Sequence, residues 1–320
     1  MSPAVNYVRH PTRASSFNLA IARFLLGGYL VWKLLSFPWA VVSAWPIRHR
    51  STYWTVVEPS LGLLSLEVAL AVLSLCAFVV GYRLRVATCL SALLVAHLGL
   101  VLFSLSPHGG VKSLFVASLL LVGFGLYADG RARPGPVDRR ARVGHTEGDD
   151  RGLSSLDSTP VPMHALRFAL VVVAILYFGA GVDKVVHGPL LAWLAPRSLG
   201  SYLLFADVAF TPNHPLTAPL RALLLGMPLA LVAVAVATIA LELGLLVAVV
   251  GRLPVWPFVF GLFGMHVGIV VVMGPFFLDQ LVFLSLFVAW DDAVRRLFSL
   301  LPSRLARRLQ AVSELLGGPA

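Results

Sequence analysis

The chain has 320 residues, 58% of them hydrophobic and only 12% charged, and its mean hydropathy is +0.86. Soluble domains run at about 45–50% apolar and about 25% charged. Half the usual charge does not solvate a globule of this size, so a soluble enzyme and a disordered chain are both excluded. What is left is a polytopic membrane protein, an all-α helical bundle.

A spanning helix needs about 20 mostly apolar residues. In chain order the apolar runs are Phe17 to Val42, Leu61 to Gly81, Val86 to Leu105, Val111 to Ala128, Met163 to Asp183, Ala222 to Gly251, Val255 to Met273 and Pro275 to Trp290. These predict about eight spans, the last two divided only by the turn signal Gly274-Pro275. The runs are continuous rather than alternating, which excludes a transmembrane barrel. The first run carries no small-residue cleavage pattern and is as long as a span, so no cleavable signal peptide is expected.

Residues 1–16 read as an N-terminal segment and residues 17–128 as a first four-helix half. Residues 129–162, rich in Arg, Asp, Gly, Ser and Pro, read as a flexible linker. Residues 163–292 form a second four-helix half. In the tail, 293–320, leucines recur at helical spacing between arginines, the pattern of a basic amphipathic helix on a membrane surface. No repeat relates the two halves.

The net charge of +10 invites a nucleic-acid reading. The placement of the basic residues removes it. With the N-terminus inside, sixteen of the 25 Lys and Arg fall on inside segments, six on outside segments and three within spans. This is the positive-inside distribution, and it predicts a plasma-membrane protein with both termini and the linker cytoplasmic. The lipid bilayer is then the one assured partner. Cys76 and Cys89 lie in apolar runs with no metal-ligand spacing, so no metal and no disulfide is expected.

Ionisable groups inside spans are expensive and each is a functional candidate. Lys33 and Glu67, at similar outer-half depth in adjacent antiparallel spans, are expected to pair. His97 reads as a satisfied core histidine. Glu242 must be protonated or paired, with no partner named by the sequence. A second group, His108, Lys184, His266 and Asp279, comes from four places in the chain and meets in the outer half. Only three lysines stand against 22 arginines. A lysine can lose its proton when desolvated and an arginine effectively cannot, so a retained lysine such as Lys184 is one whose neutral form can matter.

Four segments carry a resemblance. Tyr177 to Lys184 reads Tyr-Phe-Gly-Ala-Gly-Val-Asp-Lys; Ile21 to Gly27 reads Ile-Ala-Arg-Phe-Leu-Leu-Gly; Pro107-His108 precedes the fourth span; Met265-His266 opens a late apolar stretch. In order and spacing they resemble the transmembrane part of the vitamin K-dependent gamma-carboxylase, a lyase, and the wider horizontally transferred transmembrane (HTTM) domain family. The resemblance implies an outward-facing cavity for a hydroquinone such as vitamin K hydroquinone or menaquinol. It implies Lys184 as the base, with His108 and His266 as its hydrogen-bonding or acid/base partners. Two departures accompany it. Asp183 stands where the carboxylase has a second lysine, and the chain ends at Ala320 without the carboxylase's large luminal domain. Carboxylation of a propeptide-bearing protein by the same route is therefore not expected. Two other readings of the same polar residues stay open: a non-catalytic membrane subunit that binds a lipid or a partner protein, and a small-solute transporter with Glu242 and the histidines as relays.

The loop from His187 to Pro219 is apolar, aromatic and framed by prolines, and a short interfacial or re-entrant helix is expected around Ser198 to Phe205. The topology is tested by single cysteines at Ser154 and Ser198. They are expected to react with an impermeant thiol reagent from opposite faces of sealed vesicles; reaction from the same face overturns the assignment.

Overall fold

A computed structural model describes residues 13–14, 16–37, 60–105, 112–126, 161–162, 164–186, 190–209, 217–273, 277–290 and 293–294. The fold is all-α apart from one two-residue ladder. Its helices are α1 (Ser16–Ser36), α2 (Leu61–Val80), α3 (Leu84–Leu105), α4 (Lys112–Leu126), α5 (His164–Val186), α6 (Leu190–Leu194), α7 (Pro196–Ala209), α8 (Thr217–Leu225), α9 (Pro228–Val250), α10 (Trp256–Met273) and α11 (Leu278–Ser285). Among the described residues six are long and apolar enough to cross a membrane: α1, α2, α3, α5, α9 and α10. The protein is a multi-pass membrane protein. Its outward faces carry leucines such as Leu66, Leu73 and Leu93, which lipid rather than water solvates.

The sixth and eighth runs differ from expectation. The 222–251 run is not one helix. It breaks at Gly226–Met227, and α9 restarts with Pro228 in its first turn, where the missing N–H costs no hydrogen bond. In the last run the described helix α11 has eight residues, about 12 Å, too short by itself to span. The fourth run forms the 15-residue helix α4. The linker between residues 129 and 160 and the tail from residue 295 lie outside the described residues.

The hairpin between α2 and α3 turns on Gly81, whose φ of +78° is the left-handed conformation that closes a helix C-terminus. Its N–H bonds back to the carbonyls of Ala77 and Phe78. The Arg23 guanidinium of α1 lies against Gly81, so a Cβ there would stand 2.8 Å from an Arg23 nitrogen. A cation at the negative end of a helix dipole is favourably placed.

One apolar core runs through both halves, from Leu26, Leu30 and Phe78 through Leu98, Leu120 and Phe124 to Val173, Leu245, Leu262 and Phe283. Strands β1 (Arg13–Ala14) and β2 (Val161–Pro162) pair antiparallel immediately before α1 and α5. The entries to the two halves therefore sit at the same end of the bundle.

At the other end, α11 is joined to α1 and α4 by charge. The Lys33 ammonium donates to Asp279 Oδ2 at 2.8 Å, Tyr29 Oη at 2.8 Å and Ser113 Oγ at 2.6 Å. Tyr29 in turn donates to Asp279 Oδ1. An ammonium has three donors and all three are used. The expected Lys33–Glu67 pair is thus corrected. Glu67 lies seven residues before Ser74 on α2, the same face of the helix, and Ser74 meets Ser91 of α3. Glu67 accordingly turns to α3, where its carboxylate meets His97 Nδ1 at 2.7 Å. His97 is no core histidine: its side chain is 57% exposed.

Removing one member of the Lys33–Asp279 pair strands the other charge away from water. Lys33→Met is expected to lower stability in micelles by about 3–5 kcal/mol, and Asp279→Leu added to it to restore most of the loss. A double-mutant cycle by denaturant unfolding checks this, and equal losses in the single and double variants would overturn it.

Candidate functional site

The second cluster of charge is built on one face of α5. Tyr177, Gly181 and Lys184 are spaced four and three residues apart, so they stack along a single stripe. Gly181 brings α9 close: a Cβ there would meet Leu243 Cδ2 at 2.8 Å and Glu242 Cβ at 3.2 Å. That approach puts the Glu242 carboxylate beside Lys184. The Lys184 ammonium donates to Glu242 Oε1 and Oε2, each at 2.7 Å, and reaches the Ala180 carbonyl at 3.3 Å. The two side chains are 17% and 6% exposed. Glu242 therefore has the partner that sequence reasoning could not name.

The pair lies deep. Glu242 is fourteen residues, about 21 Å, from the N-terminus of α9. Lys184, in contrast, is two residues from the end of α5. The helix α5 thus stops short, and the short helices α6, α7 and α8 pack over the level it leaves, against α9 and α10. The expected helix around Ser198 to Phe205 is found within α7. Its neighbour α6 supplies Trp193, whose ring lies 5.3 Å from Lys184 Nζ, a cation–π contact. Trp193 is itself stacked on Tyr202 of α7, centroids 5.9 Å apart. Asp183 is exposed, turned away from the site as the 100° step between neighbouring helical residues requires.

About two helical turns before Lys184, Tyr177 shares a hydrogen bond of 2.8 Å with His266 Nε2 of α10. Both residues are buried. His266 also lies 5.7 Å from the Phe277 ring. Its other nitrogen, Nδ1, is buried and has no hydrogen-bond partner among the described residues. Such a group costs about 1–3 kcal/mol unless something completes it.

Of the residues expected at the site, Lys184 and His266 fall on one stripe of α5, Lys184 as a member of it and His266 through its bond to Tyr177. Asp279 does not join them, being held by Lys33 and Tyr29. His108 lies outside the described residues. Tyr177 and Glu242 are the members that sequence reasoning left out of the site. Tyr177 sits inside the Tyr-Phe-Gly-Ala-Gly-Val-Asp-Lys stretch at position i−7 from Lys184, which was a legible signal; Glu242 offered only its cost in a span. Among the described residues no group of three or more His, Cys, Asp or Glu could hold a metal ion.

Fold and site together define a polytopic α-helical membrane protein whose bundle encloses a bidentate ion pair beside an aromatic–histidine couple. No family model, no curated protein and no solved structure matches the chain.

The close approach at Gly181 is what seats Glu242 on Lys184. Gly181→Val is expected to push α9 off α5 and cost about 1–3 kcal/mol by overpacking. A lowered unfolding midpoint checks it; unchanged stability would mean that α9 gives way without loss.

Proposed function

We propose that this protein belongs with the carboxylase-like HTTM proteins and acts on a quinol-type lipid at the Lys184 site, with Lys184 as the general base. The observation that carries the reading is the sharing of one face of α5 by two buried polar couples, Lys184–Glu242 and Tyr177–His266. A structural ion pair alone needs no second couple. A site for a hydroxylated aromatic ring needs a proton acceptor, a second hydrogen-bonding group and aromatic faces.

The residues fit such a ring. His266 Nδ1 is a buried group awaiting a partner, which a phenolic hydroxyl supplies. Trp193 turns its ring face to Lys184, and the Phe277 ring lies tilted beside His266. A hydroquinone contributes its own chemistry, two weakly acidic hydroxyls whose anion reduces an oxidant.

The protein's part is proton transfer. Within the Lys184–Glu242 couple a proton passes from Nζ to the carboxylate, which leaves Lys184 as a neutral amine with a lone pair. The amine then takes a hydroxyl proton and returns to ammonium, and the positive charge so formed stands against the new oxyanion. Trp193 holds the ammonium in place through its ring face. Tyr177 fixes the orientation of the His266 ring.

Lys184→Arg tests this cleanly. The guanidinium keeps the bidentate pair with Glu242 but does not give up a proton at neutral pH. Purified protein in nanodiscs, given menaquinol or vitamin K hydroquinone under air, is expected to oxidise it, and Lys184→Arg to lower that rate by about 100-fold or more with an unchanged unfolding midpoint. Equal rates in the two proteins would overturn the base assignment. A wild-type protein that neither oxidises nor retains the quinone would overturn the quinol reading as a whole.

A further inference from the structure

Two turns between spans hold an arginine in a backbone conformation that arginine rarely adopts. Among the described residues the non-glycine positions with positive φ are Arg83, at +38°, and Arg252, at +53°. Both lie in the left-handed region, where a Cβ crowds the backbone and glycine is the unstrained choice. The two turns share a plan. A span-length helix ends on Gly81 or Gly251, the left-handed arginine follows within two residues, and the next helix starts at Leu84 or Trp256.

The helices on either side of each turn fold back on one another. Ser91 of α3 meets Ser74 of α2, and Gly244 of α9 packs against the Phe258 ring of α10. All four are long and apolar enough to cross a membrane. A tight turn between two such helices stands where hydrocarbon gives way to headgroups. The neighbouring side chains suit that level: Tyr82 and Trp256 are exposed aromatics, with exposed Val80 and Leu253 beside them. Arg83 and Arg252 are exposed as well, and the Arg83 guanidinium carbon lies 5.8 Å from the centre of the Tyr82 ring.

Charge at the first of these turns is one-sided. Arg23 lies against Gly81, and Arg85 is exposed two residues past Arg83. In α1 to α4 the one acidic residue is Glu67, fourteen residues, about 21 Å, before Gly81 along α2. No carboxylate of these helices offsets the turn.

We infer that the two turns are binding sites for the phosphate group of anionic phospholipids, with Arg83 and Arg252 as the residues that hold it. A guanidinium is a planar fork of N–H donors that fits two phosphate oxygens, and lipid phosphate is the anion present at this depth. The strain points the same way. Glycine would close either turn more easily, so the side chain and not the backbone accounts for an arginine there. An arginine serving the helix dipole alone fits the last helical turn without strain. The inference is independent of the quinol reading, which concerns the Lys184 cluster.

Stability in two lipids tests it. The full chain is placed in nanodiscs of phosphatidylcholine, with and without phosphatidylglycerol, and thermal unfolding is followed. The wild type is expected to unfold at a higher temperature when phosphatidylglycerol is present. The double variant Arg83→Gly/Arg252→Gly relieves both turns and is expected to raise the midpoint by about 2–4 °C in phosphatidylcholine alone. The same variant is expected to lose at least half of the increment that phosphatidylglycerol gives the wild type. Inorganic phosphate added to the phosphatidylcholine discs is expected to leave the wild-type midpoint unchanged. Should the glycine variant fail to fold, Arg83→Gln/Arg252→Gln is read by native mass spectrometry: it is expected to retain less phosphatidylglycerol than the wild type and as much phosphatidylcholine. An increment kept in full by the glycine variant, or a midpoint lowered equally in both lipids, would overturn the inference. So would a rise with inorganic phosphate equal to that with phosphatidylglycerol, or equal retention of phosphatidylglycerol by the glutamine variant.

Discussion

The absence of water from the bilayer core governs this structure. A charge inside it must find its opposite inside the protein, because nothing else is there to solvate it. The three pairs among the described residues obey this in three ways. Lys33 is saturated by Asp279, Tyr29 and Ser113, and every donor on the ammonium is spent on the fold. Lys184 is held by both oxygens of Glu242 and by a ring face, beside a histidine that still has a nitrogen to offer. His97 is satisfied on one side only and turns the other to the lipid.

The degree of satisfaction separates structure from function here. A complete shell, as at Lys33, fixes α11 against α1 and α4 and leaves no donor for a ligand. An incomplete one has a use for something that the bundle does not contain. Exposure then divides the incomplete cases. The Lys184 cluster is covered by α6 and α7 and suits a small molecule that enters among helices. The His97 pair lies on an open face.

The same constraint explains the architecture of the second half. The helix α5 ends beside Glu242, about 21 Å from the N-terminus of α9, and α6, α7 and α8 pack over that end against α9 and α10. These short helices cover Lys184, whose side chain is largely buried. Without them the lysine would end a span at the interface, where a long cationic side chain snorkels and needs no partner. Trp193 belongs to this layer, and its contact with Lys184 makes the cover part of the site.

Sequence by itself determined the solvent. Continuous apolar runs of span length specify a helical membrane protein. The cost of charge in lipid singled out Lys33, Glu67, Lys184, Glu242 and Asp279 without any coordinates. Their partners came from tertiary structure alone. Depth and adjacency favoured Lys33 with Glu67, but the rotation of α2 turns Glu67 towards α3, and rotation about a helix axis is set by packing on its neighbours. Glu242 could not be matched to Lys184 by depth, because the break at Gly226–Met227 and the early end of α5 shift the two helices along the membrane normal. Those offsets are decided by how Gly181, Leu243 and the short helices pack, and an apolar run carries no mark of where its neighbour stops.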